Sequence, residues 1–159
     1  MQDQENISIC VIGIGNEYRQ DDAAGLLVVR KLEKTAGNQV EILEQSGEAT
    51  SLITAWGNSD RVILIDAVQS GARPGTIHRV DATNNSLTAG EFRCSSHLFG
   101  VAESIELART LDQLPPQLIV YGIEGKQFEH GVTLSPEVDQ ILDGLADRVL
   151  EEISLLKTI

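Results

Sequence analysis

Two adjacent aspartates, Asp21 and Asp22, a third at Asp66 and a histidine at His97 are the side chains in this sequence whose types could do chemistry together. Two carboxylates and one imidazole make a mixed oxygen and nitrogen donor set suited to a borderline divalent cation, and three protein ligands leave a position open for water or substrate. Each residue also has a plainer use. Asp21 or Asp22 could cap a helix, Asp66 could be a turn residue at a strand end, and His97 could bond a carbonyl in the first turn of a helix. The metal reading therefore depends on whether the chain brings them to one place.

The elements that would do so read as alternating strands and helices. Continuous apolar runs over Ile7–Ile14, Val40–Leu43, Arg61–Ala67 and Gln117–Ile123 read as strands, and Val62-Ile-Leu-Ile65 and Leu118-Ile-Val120 have the unbroken apolarity of strands covered on both faces. Gly75–Asp81 mixes Ile77 and Val80 with His78 and Arg79, as a more exposed or edge strand would. Helical spacing appears from Ala23 to about Thr35, over Ala49–Trp56 up to Gly57, and over about Leu98–Leu111 before Pro115-Pro116. A last helix starts with Ser135 as N-cap and Pro136 at its first position, and carries one apolar stripe from Val138 to Leu156. The expected fold is a three-layer α/β/α sandwich around a mostly parallel five-stranded sheet, one domain over residues 1–159. Sites in such folds lie at the carboxyl ends of the strands. Asp22 ends the loop after the first strand, Asp66 leaves the third, and His97 opens the third helix, so all three are expected at that edge.

Gly13-Ile-Gly15-Asn16 superficially resembles a dinucleotide-binding turn, but Tyr18 stands where the third glycine belongs and carboxylates occupy the helix start. The loop is better suited to a cation than to phosphate. With 24 acidic against 12 basic residues the net charge is −12, which argues against nucleic acid and against an anionic membrane surface as partners. The polar, acidic start and the lack of any long apolar run lead us to expect a cytoplasmic protein with no membrane association. Cys10 falls inside the first strand and Cys94 far away in a loop, so a disulfide is not expected. His78 reads as a surface residue, His130 as a solvated loop residue, and Trp56 as a packing residue. No nucleophile elbow is present, and neither cysteine has a histidine nearby in sequence, so the chemistry would have to lean on a metal.

With those residues in view, the chain resembles the hydrogenase maturation endopeptidases, which trim a C-terminal extension from the large-subunit precursor of [NiFe]-hydrogenase. The resemblance is carried by Gly13-Ile-Gly15-Asn16, Asp21-Asp22-Ala-Ala-Gly25, Ile65-Asp66-Ala67, Pro74-Gly75-Thr76, Ser96-His97-x-x-Gly100, Gly122-Ile-Glu124 and Gly131-Val-Thr-Leu-Ser-Pro136-Glu-Val138. Singly these are weak; in this order and spacing they are strong. The resemblance implies metal ligands, and hence catalytic residues, at Asp22, Asp66 and His97, the first being Glu in some members and Asp in others. It also implies nickel, presented by the substrate, with zinc or cadmium as other ions able to occupy the site. Many relatives carry Asp-Gly-Gly after the second strand, whereas this chain has Glu44-Gln-Ser-Gly47-Glu48. Gly47 could still supply a tight backbone approach there, and Glu48 could line the cleft, although a polar helix-start residue is its simpler reading. Asp21 and Asn16 are expected to support the ligands rather than bind metal themselves. A non-catalytic metal-binding accessory protein for hydrogenase assembly would use the same three ligands without cutting anything.

Overall fold

The computed structural model describes residues 6–85, 87 and 100–158. Five strands form one sheet: β1 (Ile9–Ile14), β2 (Val40–Gln45), β3 (Arg61–Val68), β4 (Ile77–Asp81) and β5 (Gln117–Glu124). Their spatial order is β2-β1-β3-β5-β4. Strands β1, β2, β3 and β5 run parallel, while β4 runs antiparallel to β5 at the edge, as its mixed sequence suggested. Because every side chain of β1 and nearly every one of β3 and β5 is buried, these strands need cover on both faces, and helices provide it.

On one face Val11, Ile63, Ile65, Tyr121 and Ile123 pack against α1 (Ala24–Glu33) and α5 (Leu142–Leu156). On the other, Ile12, Leu64 and Val120 pack against α2 (Ala49–Trp56) and α3 (Val101–Thr110), with Leu52, Trp56 and Ile105 in the layer between. The expected three-layer, mostly parallel sandwich is therefore the fold observed. Trp56 is a packing residue, 1% exposed, and its indole N–H donates to the Gln113 carbonyl at 3.1 Å.

Two expectations about local structure are corrected. The last helix is not continuous: a four-residue α4 (Pro136–Asp139) is followed by a turn at Gln140-Ile141 before α5 begins. At that turn the Ile141 N–H reaches back three residues to Val138 rather than four. This tightening leaves Val138, Leu142 and Leu145 all facing the core, so the apolar stripe runs on through the break. Ser135 and Pro136 do take the N-cap and first helical positions of α4, although the Ser135 hydroxyl makes no cap bond and donates instead to Asp21.

His78 is likewise not a surface residue. Its side chain is 10% exposed, and Nε2 lies 3.1 Å from Oε2 of Glu124, which is 1% exposed at the end of β5. Glu124 also accepts bonds from the Ser70 N–H and hydroxyl and from the Gly71 N–H, tying the loop after β3 to the sheet. A second buried carboxylate, Glu152 on α5, receives Arg79 at 2.6 Å and the Tyr121 hydroxyl at 2.9 Å, which locks α5 to β4 and β5.

Cys10 is fully buried in β1, and burial, with some help from nearby Glu41, pushes its thiol pKa up to about 12. The thiol is neutral at physiological pH. Its contribution to stability is complete below the ordinary thiol pKa of about 9 and is lost as the pH rises through about 12. In the folded protein at pH 8 the Cys10 peptide should stay unmodified by iodoacetamide and react fully once denaturant is added; peptide-mapping mass spectrometry reads both states.

Candidate active site

The site begins with three glycines that let backbone touch backbone. A Cβ on Gly13 would strike the Gly25 carbonyl oxygen and Val29, one on Gly15 would strike the Asp22 carbonyl, and one on Gly25 would strike the carbonyls of Ile14 and Ile65. The Gly-x-Gly motif is therefore a packing device rather than a phosphate loop. It brings the start of α1 down onto the carboxyl ends of β1 and β3. Between β1 and α1 the chain makes a 3-10 turn over Gln20–Ala23, where a helix starting directly at Ala23 was expected. Gln20 sits in the left-handed region, with φ 51°. Its N–H donates to the Gly131 carbonyl at 2.9 Å and its side-chain carbonyl accepts from the Glu129 N–H at 3.2 Å, which holds it there.

Both aspartates of this turn are wholly buried, and neither side chain caps a helix. They do different things. Asp22 accepts the Asn16 N–H at 3.0 Å, inside a loop that Asn16 itself shapes by accepting the Tyr18 N–H at 2.9 Å. Asp21 faces the loop that follows β5. Its Oδ2 accepts from the N–H groups of Lys126 and Gln127 and from the Ser135 hydroxyl, and its Oδ1 accepts from the Ser135 N–H, all at 2.8–3.0 Å. Four donors on one carboxylate make Asp21 the peg between two loops more than a hundred residues apart in sequence. Lys126 adds an ion pair to Glu137 at 2.9 Å, holding that carboxyl below the usual glutamate range.

Asp66 lies within β3, which continues two residues beyond it to Val68, so it does not end the strand as the sequence suggested. It is wholly buried, in register with Gly122 of β5, and alternation puts it on the sheet face of Val62 and Leu64. That face is the one α3 covers, and His97 stands three residues before Gly100, the N-cap of α3. His97 itself lies outside the described residues, as does Cys94. Asp22, in the turn after β1, and Asp66, two residues before the end of β3, thus lie toward the edge where the strand order reverses, the usual ligand position in this architecture.

An open cleft of about 430 Å³ lies over this edge, lined by Asn16, Tyr18, Asp22, Leu26, Arg30 and Ser46 among others. Arg30 bridges Glu44 at 2.7 Å and Glu17 at 3.3 Å, bracing one wall, an arrangement with no signature in the sequence. Gly47 is buried with φ 92° and shapes the loop after β2, while the cleft lining ends at Ser46. Glu48 is exposed and accepts from the Thr50 and Ser51 hydroxyls at 3.4 Å, an ordinary helix-start role. His130 is exposed, as expected.

Two wholly buried aspartates at one edge of an acidic protein suit a divalent cation far better than an anion. Among the described residues no three His, Cys, Asp or Glu side chains form a metal-binding group. A third ligand would have to come from elsewhere, and His97 is the candidate that the sequence supplies.

A five-stranded, mostly parallel sheet covered by helices on both faces is the fold of solved hydrogenase maturation proteases. The family model described as "Hydrogenase maturation protease" matches residues 26–152, and the chain belongs to this family. It is 31% identical over 150 residues to the hydrogenase expression/formation protein HupD of Bradyrhizobium diazoefficiens, covering 91% of this chain and 78% of that protein. It is 28% identical to the hydrogenase 2 maturation protease of Escherichia coli K12, covering 89% of this chain and 88% of the other. Among solved structures, the E. coli hydrogenase maturating endopeptidase HybD superposes with a TM-score of 0.75 at 26% identity, covering 92% of each chain. The [NiFe] hydrogenase maturation protease HybD of Thermococcus kodakarensis gives 0.74 at 25% identity, covering 92% of this chain and 98% of the other. The chain is accordingly a hydrolase of the peptidase class.

Proposed function

We propose that this protein removes the C-terminal extension of a nickel-loaded [NiFe]-hydrogenase large-subunit precursor, acting in the cytoplasm as one domain over residues 1–159. What supports this reading most is the burial of two aspartates, Asp22 in the turn after β1 and Asp66 near the end of β3, on either side of the strand-order reversal in a hydrogenase maturation protease. In this reading Asp22, Asp66 and His97 take hold of nickel that the precursor brings with it, so the metal is part of the substrate. Zinc or cadmium would fit the same donors when added to the isolated protein. A metal so held polarises a peptide carbonyl and makes a bound water more acidic.

The chain's own groups do the positioning. Asn16 fixes the Asp22 carboxylate through its backbone N–H, and Asp21 fixes the turn that carries Asp22. The glycine contacts set that turn against the end of β3. The open cleft beside Asp22 gives an extended tail a place to lie, and its acidic surroundings favour a cationic centre over an anionic one.

Intact-mass spectrometry of the large subunits in a strain lacking this gene tests the reading. One subunit should keep its tail, and wild type should restore the mature mass while His97→Ala should not. If every subunit is mature, and no second peptidase in the cell accounts for it, the proposal fails.

A further inference from the structure

The two loops that Asp21 joins present the most exposed large apolar side chains among the described residues apart from those on helices. Tyr18 is 61% exposed and Val132 is 74% exposed. They are neighbours in space: the Gly131 N–H donates to the Tyr18 carbonyl at 2.9 Å, and Arg19 and Gly131 form a parallel bridge. Neither loop is loose. Besides the four bonds to Asp21, the Arg19 guanidinium donates to the Phe128 carbonyl at 3.1 Å and the Asp21 N–H to the Gln127 carbonyl at 3.0 Å. With Glu17 and Glu129 exposed alongside, the two apolar side chains lie on neighbouring loops inside a charged rim, the form that an interaction surface takes.

We propose that Tyr18 and Val132 form an apolar anchor for the folded body of the precursor whose tail enters the cleft. The inference rests on the reading given under Proposed function. The occupant follows from continuity: Tyr18 also lines the cleft that holds Asp22, so a protein delivering a peptide bond to Asp22 must cross this rim. Its contact there is an apolar side chain or two, seated on a surface already ordered before binding. Tyr18 is the aromatic type that carries much of the affinity in protein interfaces, and Val132 adds apolar area beside it.

Steady-state cleavage of purified nickel-loaded precursor, with calorimetric titration for Kd, tests the anchor. Tyr18→Ser together with Val132→Ser should raise KM and Kd by roughly tenfold or more, with kcat within about twofold and the melting temperature unchanged. Leu111→Ser with Leu155→Ser removes two comparably exposed apolar residues, at 51% and 61%, from the far ends of α3 and α5. That control should leave both constants alone. A wild-type KM and Kd for the Tyr18 and Val132 variant overturns the anchor, as does an equal loss in the control. A wild-type protein that leaves the precursor intact overturns the function reading instead, so the two failures look different.

Discussion

Asp66→Asn should reduce precursor cleavage by about a thousandfold or more, equivalent to about 4 kcal/mol of lost transition-state stabilisation. The substitution is isosteric and sits inside a strand whose backbone bonds to β1 and β5 it leaves untouched. Circular dichroism and the melting temperature should therefore match wild type. Under our reading the cause is electrostatic: a neutral amide oxygen is a far poorer donor to a divalent cation than a carboxylate in a buried site. Intact-mass assays of precursor over time read the rate. Near-normal cleavage by a folded Asp66→Asn protein removes Asp66 from the ligand set and leaves the family membership standing.

Asp21→Ala should have the largest effect on stability. It strips the acceptor from four donors, the N–H groups of Lys126, Gln127 and Ser135 and the Ser135 hydroxyl. Leaving a buried donor unsatisfied costs about 1–3 kcal/mol, and water reaching the more open pair would recover part of this. A net loss of roughly 3–5 kcal/mol is expected, which for a chain of this size lowers the melting point by about 10–15 °C. Asp21→Asn should fall between, because its Nδ2 can only donate, and the Oδ atom it replaces faces donors. Since the same turn carries Asp22, cleavage should fail in Asp21→Ala even below its melting point. A melting curve like that of wild type would show that the hub contributes little.

The parts of the fold that were legible in the sequence are those that burial writes directly into composition. Val62-Ile-Leu-Ile65 and Leu118-Ile-Val120 read as strands covered on both faces, and in β3 and β5 every one of these side chains is buried. The break between α4 and α5 was not legible, because a one-residue tightening at Ile141 leaves Val138, Leu142 and Leu145 on the same stripe. Strand order was also out of reach, since the apolar runs say that strands are covered but not which neighbours they have.

For the site, residue type and position in the strand-loop-helix pattern pointed to Asp22 and Asp66, and their full burial is what the structure adds. Their neighbours were not readable. Ser135 holds the N-cap position that the sequence indicates, but only its partner 114 residues away shows that its side chain belongs to Asp21. His78 looked exposed because β4 is an edge strand of mixed character, yet a buried glutamate on β5 receives it. In both cases the deciding interaction joins residues far apart in sequence. His97 remains the member of the proposed set that rests on the sequence.

The Asp21 peg also bears on when this protein becomes competent during synthesis. Asp22 is made early, but the turn that seats it is held by groups at positions 126, 127 and 135. Closing a loop of more than a hundred residues is slow compared with forming helices or neighbouring strands. On the ribosome, then, β1, β2 and β3 can begin to assemble while the turn carrying Asp22 still lacks its anchor. The chain acquires an organised cleft only after β5 and the segment beyond it have emerged, so a nascent or truncated protein ending near Gly125 would hold all five strands and yet lack every group that pegs the turn carrying Asp22.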